Sequence, residues 1–178
     1  NLAPVVTFQP PTKTNFTPII LTGSVDDSLT TVKINGLTAN RSARSFDVAV
    51  PLTLGANTLT LVVTSPRGFI TQRTYAITLG TIPTITTTTP PDGAKLYAGV
   101  AKPLQLTATD AEGDPIEYQL LVDGVALGPW SATATQSWTP SLSQLGLHTV
   151  TFSARDAYGG ARTKTIEVYV LRAPIQHP

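Results

Sequence analysis

The segment Gly55–Leu79 (GANTLTLVVTSPRGFITQRTYAITL) lines up without a gap on Gly146–Val170 (GLHTVTFSARDAYGGARTKTIEVYV), 91 residues downstream. Gly55 meets Gly146, Thr58 meets Thr149, Thr60 meets Thr151, Gly68 meets Gly159 and Thr74 meets Thr165. The apolar positions agree as well. Leu59, Leu61 and Val63 match Val150, Phe152 and Ala154, while Tyr75, Ile77 and Leu79 match Ile166, Val168 and Val170. An apolar residue at every second place puts one face of an extended chain on a core. Each copy therefore reads as strand, tight turn, strand, with turns at Ser65-Pro66-Arg67-Gly68 and at Asp156–Gly160. A repeat of this kind constrains the fold more than any single motif, because each copy is one structural unit with its own apolar face to bury.

Upstream, Pro18-Ile-Ile-Leu-Thr-Gly corresponds to Pro103-Leu-Gln-Leu-Thr-Ala, and Val32-Lys-Ile-Asn-Gly to Leu120-Leu-Val-Asp-Gly. Asn35-Gly36 and Asp123-Gly124 are strong two-residue hairpin signals. The pattern predicts strands near residues 5–8, 19–25, 31–34, 45–50, 58–64 and 70–79 in the first half. In the second half it predicts them near 84–88, 104–109, 116–122, 133–138, 148–154 and 162–170. No stretch has a helical period; Ser141–Leu145 offers one turn at most. Short strands with regular turn signals predict an all-β protein of two tandem immunoglobulin-like Greek-key β-sandwiches. Their expected bounds are 1–80 and 81–172, with 173–178 a tail or joint to a next domain.

Composition supports this and narrows function. Thr, Val and Ile suit a pleated surface, and Gly 13 with Pro 15 supply turns. Charged residues are only 13% and the net charge is +1, with no basic stripe, so nucleic acid is not an expected partner. No apolar run approaches a membrane span, so membrane insertion is not expected. The absence of Cys removes disulfides, thiolate metal sites and a Cys nucleophile. His148, placed on the outward phase of its strand, and His177 lack a third ligand at zinc spacing. Nothing resembles a nucleophile elbow, so the chain is expected not to be an enzyme.

The second half carries Ala108-Thr-Asp-Ala-Glu-Gly-Asp-Pro-Ile-Glu-Tyr118, then Trp138-Thr-Pro140, then Gly146–Gly160. This resembles the Ig-like, cadherin-like and polycystic-kidney-disease-type repeats of bacterial extracellular proteins, departing from them at Glu112, where they often carry Asp. The first half, with Val32–Gly36, Phe46–Leu52 and Gly55–Leu61, is similar to accessory Ig-like domains of secreted glucanases and surface proteins. These resemblances imply a secreted or cell-surface location, neighbouring domains of a larger protein as partners, and a spacer, stalk or adhesive role. They do not fix a ligand.

Two groups of residues are candidate sites. Asp110, Glu112 and Asp114 alternate along a turn, and Asp156 follows a strand that a sandwich brings nearby. Such carboxylates suit a hard cation such as calcium, and related repeats bind calcium at such loops. The alternative is that Asp110 and Asp114 cap turns through backbone N–H groups; no cofactor is required. The first half lacks the cluster, since Ser65 stands where Asp156 does. Trp130, after Gly128-Pro129, and Tyr158, at a turn, are the aromatic residues expected to meet a glycan. Three readings stay open: a structural or adhesive spacer, a carbohydrate-binding accessory domain of a secreted glycoside hydrolase, and a self-assembling filament subunit.

Overall fold

The computed structural model describes residues 3–174. Asn1, Leu2, His177 and most of the expected tail lie outside the described residues. The chain divides into two compact units, Asn1–Gly80 and Thr81–Pro178.

The first unit contains β1 (Val6–Thr7), β2 (Lys13–Thr14), β3 (Ile19–Val25), β4 (Thr31–Ile34), β5 (Leu37–Thr38), β6 (Asn40–Ser42), β7 (Ser45–Val50), β8 (Gly55–Thr64) and β9 (Ile70–Leu79). One sheet runs β1-β3-β7-β6 and the other β2-β9-β8-β4-β5. The second unit contains β10 (Thr84–Thr89), β11 (Ala94–Tyr97), β12 (Lys102–Thr109), β13 (Glu117–Val122), β14 (Val125–Ala126), β15 (Thr135–Trp138), a 3₁₀ turn (Leu142–Gln144), β16 (Gly146–Arg155) and β17 (Arg162–Leu171). Its sheets run β10-β12-β15 and β11-β17-β16-β13-β14. Both units are immunoglobulin-like sandwiches of one topology.

The repeat in sequence is a repeat in register. Gly55 pairs with Leu79 in β8·β9, and Gly146 with Val170 in β16·β17, the same positions in the two copies. Alternation then sends Leu59, Leu61 and Val63 into one core and Val150, Phe152 and Ala154 into the other, all fully buried. The neighbouring hairpin departs from simple correspondence. Ile34 pairs with Leu61, whereas Leu120 pairs with Phe152, so Ile34 and Leu120 are ladder equivalents. The second hairpin thus reaches two residues further before turning. A shift of two preserves the inward phase, which is why both turns still fit the same pattern. Asn35-Gly36 and Asp123-Gly124 have φ of 49° and 82°, and 49° and 78°. Consecutive positive φ values are what a tight hairpin matched to strand twist requires.

Each core has a local key. In the first, Phe8 meets Tyr75 edge-on at 5.1 Å and Phe46 at 5.9 Å. Gly23, the register partner of Phe46, lies under that ring. A Cβ there would sit 2.4 Å from Phe46 Cζ and 2.7 Å from the Thr7 carbonyl oxygen. The strand needs a glycine at this close approach. In the second, Phe152, Leu104, Leu106 and Leu120 fill the centre and Trp138 closes one end.

The units differ at one edge. In the first, β6 pairs with β7. In the second, the loop after β14 instead turns toward β13, where Ser131 and Tyr118 exchange backbone bonds of 2.7 and 3.1 Å. Gln119 also donates to the Gly128 carbonyl at 3.2 Å. This route delivers Trp130 to the side of the sandwich that holds Glu117 and Arg155.

Candidate functional site

β12 and β16 belong to opposite sheets, and the loops that follow them meet at one end of the second sandwich. Asp110 and Asp114 come from the first loop and Asp156 from the second. Each contributes a carboxylate oxygen to a group lying within 4.8 Å of one another. Asp110 Oδ1 accepts the N–H of Glu112 at 3.0 Å and of Asp114 at 2.9 Å, so it caps the turn. Its other oxygen, Oδ2, is buried without a hydrogen-bond partner. Asp156 is 3% exposed, and its Oδ1 accepts the Tyr158 N–H at 2.8 Å. Turn capping and carboxylate convergence therefore coexist here.

The chemistry of this group suits a calcium ion. Oxygens that share one calcium at about 2.3–2.6 Å lie at most about 5 Å apart, and an orphaned buried carboxylate oxygen is costly without a cation or donor. Glu112 stands apart from the group. Its Oε2 accepts the N–H and hydroxyl of Thr81 at 3.1 and 3.0 Å, fastening the first residue of the unit. In the first unit Ser65, at the position of Asp156, uses its hydroxyl to accept the Phe69 N–H at 3.1 Å.

Beside the acidic group runs an open groove of about 570 Å³, lined by Glu117, Trp130, Arg155, Asp156 and the turn residues Ala157, Gly159, Gly160 and Ala161. The Arg155 guanidinium carbon lies 4.2 Å from the Trp130 ring centroid. Arg155 also donates from Nε and Nη2 to Glu117 Oε2, at 3.0 and 2.9 Å. The guanidinium thus takes up one face of the Trp130 ring, a cation–π contact that leaves that face closed to a sugar. Tyr158 is half-buried and does not line the groove.

A second polar cluster sits at the far end of β16. His148 is not on the outward phase. It shares the inward phase with Val150, Phe152 and Ala154 and stands edge-on to Trp138, with ring centroids 5.6 Å apart. Its Nδ1 lies 2.6 Å from Asp123 Oδ2 and its Nε2 2.8 Å from the Gln144 carbonyl oxygen. Asp123 Oδ1 accepts the Thr149 N–H at 2.9 Å. Burial, the largest influence on the ring, disfavours its charged form. The bonds to Asp123 and Gln144, with the Asp123 charge, outweigh it and hold the imidazole above its ordinary pKa. The bond from His148 is the main reason that the Asp123 carboxyl lies below the usual carboxylate value. Every second residue back from Phe152 reaches His148, so the alternation of the strand itself carries its inward phase.

Residues 7–81 match the family model of the cadherin-like beta sandwich domain. No curated protein matches the chain by sequence. Among solved structures, the fibronectin(III)-like modules of Clostridium thermocellum CbhA superpose with a TM-score of 0.59 at 18% identity, covering 98% of each chain. A three-Ig fragment of titin gives 0.45 at 11% identity over 96% of this chain and 66% of that one. Topology, register and the CbhA superposition agree: the chain is a tandem of immunoglobulin-like β-sandwiches, the first matching the cadherin-like β-sandwich family.

Proposed function

We propose that the chain is a non-catalytic, load-bearing spacer within a larger extracellular protein, its second unit stiffened by one calcium ion. The observation that carries this reading is the parallel pairing of an early strand with the last strand in each unit. Lys13 and Thr14 of β2 pair with Thr78 and Leu79 of β9. Ala94–Tyr97 of β11 pair with Val168–Leu171 of β17. Backbone bonds flank both ladders, including Gly80 N–H to the Thr14 carbonyl and Ala98 N–H to the Leu171 carbonyl, each 2.9 Å. Tension applied to the two ends of a unit drives such strands past each other along their length. The bonds then share the load and resist together, with rupture governed by the unfolding barrier.

Asp110, Asp114 and Asp156 would hold the calcium. Its charge would offset the repulsion of three converging carboxylates and tie the loop after β12 to the end of β16. The groove at Trp130 favours this reading over glycan capture, because Arg155 takes up a face of the indole that a sugar would need. Single-molecule pulling tests the proposal. The second unit, with four paired positions against two, is expected to unfold at the higher force, and Ala98→Pro to lower it. Equal forces in both units, unmoved by that substitution, would remove the mechanical reading.

A further inference from the structure

The position of His148 in the second unit is taken by Asn57 in the first, and that of Gln144 by Thr53. Both units close the same corner, where the chain leaves one sheet and enters the other, with a side chain bonded to the residue four places earlier. In the first unit the closure is neutral. Asn57 Nδ2 donates to the Thr53 carbonyl at 2.7 Å and to the Gly55 carbonyl at 2.8 Å, while Asn57 Oδ1 accepts the Thr53 N–H at 2.9 Å. In the second unit, an imidazole reaches the Gln144 carbonyl at 2.8 Å and a carboxylate at 2.6 Å.

A carbonyl oxygen and an ionised carboxylate oxygen can only accept hydrogen bonds. A ring that serves both must carry a proton on each nitrogen. When it loses one, the carboxylate, the stronger acceptor, keeps Nδ1–H. Nε2 is then a lone pair facing the Gln144 carbonyl, and the corner loses its bond to the ring, keeping only the local bonds between Ser141 and Gln144. Among the described residues, the groups that face the ring carry no replacement charge. Trp138 of β15 and Val168 of β17, the register partner of His148, are neutral. Lys102 of β12 pairs with Trp138 in the opposite sheet, and Glu167 of β17 pairs with Thr149, an exposed residue next to the ring. Asp123, from the β13–β14 turn, is the charged group bonded to it.

We infer that Asp123, His148 and Gln144 form a proton-held clasp, which fixes the 3₁₀ corner and the β13–β14 turn to β16 in acid and frees the corner as the imidazole is neutralised. The first unit, closed by amides, does not respond. The corner that is freed carries Leu142 and Leu145, both exposed, so the clasp controls the order of an apolar surface at one end of the second unit.

Amide exchange on the full chain, from about pH 5.5 to about pH 8.5 and corrected for intrinsic exchange, tests this. Protection at residues 141–147 is expected to fall as pH rises through the imidazole pKa. The fall is about tenfold for each pH unit by which the folded pKa exceeds the unfolded one. Residues 50–57 are expected to stay level. His148→Asn copies the first unit and is expected to level the response at 141–147. Flat protection there in the wild-type chain, or an equal fall at both corners, overturns the inference. Should His148→Asn not fold, an NMR titration of the wild-type imidazole decides. A midpoint above 6.5 supports the clasp and one at or below 6.5 overturns it.

Discussion

Asp110 and Asp156 come from loops of opposite sheets, yet their carboxylate oxygens lie within 4.8 Å, with Asp114 completing the group. Oxygens this close, with Asp110 Oδ2 buried and unbonded, suit one shared cation. Calcium is therefore expected to raise the melting temperature of the chain and a chelator to lower it. Asp110→Asn and Asp156→Asn are each expected to abolish the response. Glu112→Gln, which touches Thr81 rather than the group, is expected to leave the response in place. A calorimetric scan with and without calcium reads all four. If Asp110→Asn raises the melting temperature and calcium does nothing, the group is a repulsive cluster and not a metal site.

Leu61 and Phe152 occupy equivalent ladder positions and are fully buried in their separate cores. Replacing either with Ala removes apolar contact and leaves a cavity, at a cost of about 2–5 kcal/mol. Because the cores are separate, Leu61→Ala is expected to lower only the first unit's transition and Phe152→Ala only the second's. Residue-resolved denaturation followed by NMR would show it; both units shifting equally in either variant would refute it.

Gly23 has no room for a side chain, since a Cβ would overlap Phe46 and the Thr7 carbonyl. Gly23→Ala is expected to destabilise the first unit by about 1–3 kcal/mol, through displacement of the ring or of β1. Phe46→Leu in the same chain is expected to recover part of the loss. Urea midpoints for the single and double variants measure both effects, and an unchanged midpoint in Gly23→Ala would contradict the packing described.

Asp123 gives the acid limb of stability. Its folded carboxyl titrates below the ordinary 3.8, so its contribution is complete above that value and is lost as pH falls through the lowered folded pKa. Asp123→Asn is expected to flatten the second unit's stability profile across that interval while leaving the first unit unaffected. Denaturant midpoints between about pH 6 and about pH 2 provide the check.

Much of this was legible in the chain because strong alternation and glycine turns leave few choices. The strands over Ile19–Val25, Thr31–Ile34, Ser45–Val50 and Ile70–Leu79 stand where the pattern puts them. The two-residue strand Lys13–Thr14 and the short Ala94–Tyr97 carry too few positions to show a period, although they make the parallel pairings that order each sandwich. The path of residues 127–134 toward β13 was not legible either. It is decided by the Ser131–Tyr118 bridge, a contact between segments that share no local signal. At the acidic loop, sequence placed Asp110, Asp114 and Asp156 together, because strand order alone dictates that meeting. It could not separate Glu112 from them, because only the fold shows that Thr81 lies within its reach. Trp130 could not be matched with Arg155 from sequence for the same reason.

The most direct test of two self-contained sandwiches is to prepare residues 1–80 and 81–178 as separate fragments and record the amide spectrum of each. Each fragment is predicted to give dispersed resonances and to melt cooperatively by itself. A fragment that remains unfolded without the other half would contradict the account.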